Sequence, residues 1–274
     1  HGFASFRFQT SDRVKSMGGL HLDITGFLGL LGHQSAIMMP ILFFALAWMV
    51  FKLVKKYFSK GKQIADQHLF LISFFVPVFV VFLLLSFFYW VKLNWMMPAY
   101  ISGIILLSIY LSKKWVKYQL LFSVVFHVVM AVEVIFYLVP VRSDDTWFGW
   151  DQLAKKVQVI NEKYPSGFIF SADDYKTSAI LNFYSDRMIY SGNVIGENAL
   201  QFDYIGTDLK LLRGRNALFI NSVPRFMSDA RENIYPKELL QYFDSITELD
   251  PILLQIGGKT TRKFLVFYCK NYHP

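Results

Sequence analysis

The chain has 274 residues, a formal net charge of +8 and a hydrophobic fraction of 54%, with 28 Phe and 15 Tyr. That content is too apolar for an ordinary soluble domain of this length and points to membrane spans. The basic residues sit beside apolar runs instead of forming one stripe, which argues against a nucleic-acid partner. A single cysteine, Cys269, excludes an intramolecular disulfide.

No start methionine, charged leader or cleavage site precedes the first segment, so no signal peptide is expected, and the N-terminal part of a longer protein is expected upstream of His1. Residues 1–34 mix aromatics with Arg7, Arg13 and Lys15. They read as an extracytoplasmic segment along the outer membrane surface, with Phe3, Phe6 and Phe8 against lipid or protein; an ordinary loop is the alternative.

Four apolar stretches within residues 35–140 are predicted to cross the membrane: 35–54, 68–90, 97–111 and 118–140. A hydrocarbon core of ~30 Å takes about 20 helical residues. The third stretch has the shortest clean run and is kept because the topology fails without it. Lys52, Lys55, Lys56, Lys60 and Lys62 follow the first stretch, and Lys113, Lys114 and Lys117 follow the third, whereas the short loop at 91–96 carries only Lys92. By the positive-inside rule the two lysine-rich loops are cytoplasmic, and the N-terminal segment, the 91–96 loop and residues 141–274 are outside. Trp90, Trp95 and Tyr100 cluster near one outer boundary, and Trp115 and Tyr118 near an inner one, as an aromatic belt requires.

After residue 140 the periodicity changes. Asp151 is expected to cap a helix carrying Leu153, Val157 and Ile160, which ends at Tyr164-Pro165. A strand at 167–170, a helix with Tyr175, Ala179 and Phe183 on one face, and strands at 187–190 and 216–221 follow. Pro236 fits the first turn of a helix to about Phe243. Residues 252–256, Gly257-Gly258 and 263–269 read as a hairpin. The predicted fold class is therefore an all-α membrane bundle of four transmembrane helices followed by a soluble α/β domain.

Gly257-Gly258-Lys259-Thr260 is not a phosphate loop: Leu253 stands where the motif needs its first glycine, and a strand follows. Asp173 and Asp174 lie between a strand and a helix, where ligands often bind in α/β sheets, but capping by Ser171 or Asp173 is the favoured reading. No metal-site spacing and no catalytic centre is visible in residues 141–274. His127 and Glu133 on the last span are intramembrane polar candidates for function, with interhelical bonding as the more ordinary role. Being six apart, they face different ways. Arg7, Arg13, Lys15 and Lys92 offer cations at the outer interface that suit a lipid phosphate, although snorkelling cations are common at any membrane boundary.

The opening His1-Gly2-Phe3-Ala4-Ser5-Phe6-Arg7-Phe8-Gln9 with Arg13, the turn Leu93-Asn94-Trp95-Met96-Met97-Pro98-Ala99-Tyr100 and the C-terminal α/β domain together resemble the rear half of bacterial C-type (GT-C) glycosyltransferases. The family is glycosyltransferase family 39, which contains protein O-mannosyltransferases and lipid A aminoarabinose transferases. The resemblance implies a bacterial inner-membrane enzyme that transfers a sugar from a polyprenyl-phosphate donor to an extracytoplasmic protein, lipid or glycan acceptor. It implies a donor-phosphate role for Arg13, supported by Gln9 and His1, and a cavity rim at Asn94 and Trp95. It also implies that the principal catalytic acid, and any divalent metal it binds, belong to an outer loop upstream of these residues, so no catalytic residue is expected here. A non-enzymatic receptor with an outer ligand-binding domain is the rival reading. A transporter using His127 and Glu133 ranks last, because no pair of interrupted spans is visible.

Overall fold

The computed structural model describes residues 22–60, 65–89, 91–141, 146–173, 175–231 and 237–274, with no side-chain description for 58–60. They form two compact units that meet in sequence between Ala131 and Val132.

The first unit is helical. Helix α1 (Ile24–Ile37) is capped by Asp23, whose carboxylate accepts from the Gly26 N–H at 2.8 Å. Met38 and Met39, the latter at φ +63°, end it, and Pro40 opens α2 (Pro40–Lys60). Proline suits a first helical position because its missing N–H has no helical partner there. The two helices meet at 111°. Helix α3 (Asp66–Leu85) and helix α5 (Lys113–Phe136) are long and apolar enough to cross a membrane, and the bent α1–α2 pair qualifies as a third span if it counts as one. Between them lies α4 (Met97–Ser108), only 12 residues long. Among the described residues there are thus two or three candidate spans by length and composition, where the sequence suggests four. Helix α4 packs tightly through Gly103, where a Cβ would stand 3.0 Å from side-chain carbons of both Leu46 and Phe75. Small residues of this kind let membrane helices approach closely.

The second unit carries a six-stranded mixed sheet. Its strands are β1 (Phe168–Phe170), β2 (Ile189–Tyr190), β3 (Ala217–Ser222), β4 (Phe243–Glu248), β5 (Ile252–Ile256) and β6 (Lys259–Tyr272). The order is β2-β1-β3-β6, with the first three parallel and β6 antiparallel to β3. The far side of the 14-residue β6 is shared: β5 pairs with its first half and β4 with its second. Alternation along β3 sends Leu218 and Ile220 to one face, under helices α6 (Trp150–Lys163) and α7 (Lys176–Tyr184). Ala217 and Phe219 point to the other, packed with Phe168, Phe170, Phe243 and Phe267 beneath short 3₁₀ turns. Both faces are therefore covered, as parallel strands require.

The hairpin at Gly257-Gly258 has φ of +55° and +78°, the positive pair that a tight two-residue turn needs and that glycine adopts without strain. Three expectations change. Gly149, at φ +81°, occupies the N-cap of α6, so Asp151 lies in the first turn and stabilises the positive helix end instead of capping it. The helix expected over 236–243 is a 3₁₀ turn at Lys237–Gln241, and Phe243 begins β4. The strand expected at 187–190 shortens to Ile189–Tyr190.

Cys269 lies wholly inside the sheet core, and burial pushes its thiol up to about 12. The thiolate is the reactive species. Folded protein is therefore expected to resist a small maleimide at neutral pH and to label fully once denatured, as mass spectrometry will report.

Candidate functional site

In the helical unit one group of polar atoms gathers near where the chain leaves α3 and enters α4. Three elements build it. The start of α1 is tied down by the Asp23 N–H donating to the Phe87 carbonyl at 2.6 Å and by Phe27 stacking on Phe87 at 4.1 Å. Its far end supplies Gln34, only 1% exposed. The Gln34 Nε2 donates to the Leu93 carbonyl at 3.1 Å, and its Oε1 accepts from the Tyr100 hydroxyl at 2.7 Å. One amide thus joins α1 to both ends of the Leu93–Tyr100 stretch. Trp95 completes the corner, stacked on Tyr89 at 5.9 Å and tilted against Phe82 at 5.6 Å. Asn94 and Lys92 are left exposed. The corner therefore presents an amide, an ammonium and an aromatic edge, a set able to hold a polar or anionic headgroup.

The other predicted residues lie elsewhere. His1, Gln9 and Arg13 fall outside the described residues. His127 bonds within its own helix, Nδ1 to the Ser123 carbonyl at 2.7 Å. The Glu133 carboxylate accepts from the Val139 N–H at 3.1 and 3.2 Å, holding the chain where it leaves α5. That exit is braced by Tyr137, whose hydroxyl accepts from Thr146 Oγ1 at 2.7 Å and whose ring stacks on Phe148 at 4.8 Å. The Arg262 guanidinium lies 3.8 Å over Trp150 and donates to the Phe148 carbonyl at 2.9 Å.

At the carboxyl ends of β1 and β3, Asp173 accepts from Ser171 Oγ and Thr177 Oγ1, both at 2.6 Å, and from the Ser222 N–H at 3.0 Å. These bonds occupy both carboxylate oxygens, so the acid pins α7 and β3 together; Asp174 lies outside the described residues. The described surface of this unit includes a cavity of about 410 Å³ bordered by α6, α7 and the 184–187 turn, and a groove of about 660 Å³ between α6 and β5. Among the described residues no group of three His, Cys, Asp or Glu is arranged to hold a metal ion.

Sequence reasoning missed Gln34. A glutamine inside the apolar run Leu30-Leu31-Gly32-His33-Gln34 was the available signal, since a polar amide there needs partners. Comparisons with protein-family models, curated proteins and solved structures return no match.

Removing Gln34 strands the buried Tyr100 hydroxyl and the part-buried Leu93 carbonyl, whereas removing only the Tyr100 hydroxyl strands one oxygen. Gln34→Leu is expected to destabilise the detergent-solubilised protein by about 1–3 kcal/mol. A double-mutant cycle with Tyr100→Phe should return a coupling of about 0.5–2 kcal/mol in thermal or denaturant unfolding. Zero coupling would break the pair.

Proposed function

We propose that this chain is part of an integral-membrane glycosyltransferase that moves a sugar from a polyprenyl-phosphate donor to an acceptor outside the cytoplasm. The reading rests on the corner at Leu93–Tyr100. The stretch that carries the most specific resemblance to glycosyltransferase family 39 is held by a buried side-chain amide, with Asn94 and Lys92 turned outward. A lipid phosphate needs its charge neutralised at the membrane surface while its tail stays in hydrocarbon, and cations beside aromatic rings serve that purpose.

The same reading has four crossings, and contacts along α3 support the third. Tyr110, just past α4, places its hydroxyl 3.2 Å from Nδ1 of His68 near the start of α3. Trp95, just before α4, packs on Phe82 near the end of α3. The stretch from 95 to 110 therefore runs antiparallel to α3 over most of its length, so a 12-residue helix with its flanking turns can cover the depth of a full span. With α4 crossing, both lysine-rich loops fall on the cytoplasmic side and the α/β unit outside. Donor phosphate roles for Arg13, Gln9 and His1 belong to the same proposal, as does a divalent metal held by a loop upstream.

The test is transfer by membranes containing the protein from its complete open reading frame, supplied with labelled polyprenyl-phosphate sugars. Asn94→Ala and Trp95→Ala are expected to lower transfer by about 10-fold or more at unchanged protein level. Arg13→Ala should weaken donor binding by about 10- to 100-fold, the worth of one charge-assisted phosphate contact. Absence of transfer from every polyprenyl-phosphate sugar would overturn the assignment, and unchanged donor affinity in Arg13→Ala would remove that residue from the site.

A further inference from the structure

The groove between α6 and β5 has a marked charge bias. On α6, Gln152, Lys155, Lys156, Val159 and Lys163 recur at helical spacing and line one wall; Arg231, residues 249–253 and Gln255 form the other. Among the described residues four cations border the groove against one lining carboxylate, Asp250. Two of them are held in position by the protein. The Lys156 Nζ donates to the Leu253 carbonyl at 2.7 Å, and Arg231 donates through Nε and Nη2 to one Asp250 oxygen at 3.1 and 2.9 Å. An ammonium has three donors and a guanidinium five, so both have donors beyond these bonds. Lys155 lies 3.8 Å from Asp151 with both side chains well exposed, a pairing too weak to hold it back from a ligand. Lys163 sits 5.5 Å over the Tyr164 ring.

Between the cations, Val159, Pro251 and the Tyr164 ring offer apolar surface, and the side-chain amides of Gln152 and Gln255 can donate to and accept from hydroxyls. The groove's volume of about 660 Å³ lies within the ~300–1,000 Å³ range of small-ligand sites. Apolar and amide surface suits sugar rings, and positioned cations suit a phosphate.

We infer that this groove is a binding site for a phosphate-bearing glycan, which on the transferase reading above is the acceptor or part of it. The ligand's phosphate sits among Lys155, Lys156, Lys163 and Arg231, and its rings lie against Val159, Pro251 and Tyr164. A flat lipid headgroup layer would engage the cations but has no use for the apolar and amide side chains set between them in a groove, which favours the glycan over a bilayer surface. Asp250 orients Arg231 and disfavours ligands that bear a second anion beside it.

The experiment uses the full chain in nanodiscs of neutral lipid, with a fluorescent phosphorylated mannopentaose and its dephosphorylated counterpart as probes. The phosphorylated form is expected to bind at least about 10-fold more tightly, with the advantage shrinking as salt rises. Lys155→Gln with Lys163→Gln should remove most of that advantage, whereas Lys155→Arg with Lys163→Arg should keep it; both positions are solvent-facing, so the fold is not at risk. Equal affinity for the two probes, or an unchanged advantage in the double glutamine variant, would overturn the site. Displacement by glycerol 3-phosphate as effective as by the phosphoglycan itself would overturn the glycan and leave a bare phosphate or lipid-headgroup site. Binding is read without any donor sugar, so a protein that binds the probe but transfers nothing defeats the transferase reading alone.

Discussion

Hydrocarbon offers no hydrogen bonds, and that single deprivation organises the helical unit. Every backbone polar group within the apolar layer must find its partner in the chain, which leaves helices as the only open-ended solution. Side chains follow the same rule at higher stakes. Gln34 is buried where water cannot reach it, and it is tolerated because both ends of its amide are used, one by the Leu93 carbonyl and one by the Tyr100 hydroxyl. His127 turns back to its own helix, and Glu133 accepts from the Val139 N–H beyond the helix end. Lys92 and Asn94, by contrast, stand exposed.

The α/β unit answers a different constraint. Its parallel strands cannot leave a face open, so two helices and a set of 3₁₀ turns cover the sheet on both sides. The carboxyl ends of the parallel strands, where open α/β sheets usually receive ligands, are closed by Asp173 binding across from the β1 end to the start of α7 and the end of β3. Surface available to a ligand is displaced to the flanks of α6. The last turn of α5, from Val132 onward, belongs to this unit, where Glu133 accepts from the Val139 N–H and the Tyr137 hydroxyl from Thr146 Oγ1.

Long apolar runs made α3 and α5 legible, because continuous hydropathy is a local property. The Gly257-Gly258 turn was equally legible, since two glycines between apolar runs suit the positive-φ turns of a tight hairpin. Helix α1 was not: Gly26, Gly29 and Gly32 lower its intrinsic helicity, and contacts with the 87–100 stretch override that preference. Strand β4 was hidden because its apolar residues, Phe243 and Ile246, are three apart and break the two-residue alternation, while Pro236 suggested a helix. The Gln34–Tyr100 bond joins residues 66 apart, and no local pattern encodes such a pairing. The lysines of α6 were visible in the sequence, but the opposite wall from Arg231 and β5 is a product of the fold.

The account depends most on which side of the membrane each end of α3, α4 and α5 occupies. Single cysteines at Lys56, Lys92, Lys114 and Asp244, read with a membrane-impermeant maleimide on intact spheroplasts, address this directly, since the native Cys269 is buried. Labelling from outside at positions 92 and 244, with 56 and 114 reacting only after permeabilisation, is the predicted pattern. Outside labelling at 56 or 114, or protection at 244, would contradict the four-crossing topology and the outer placement of the α/β unit.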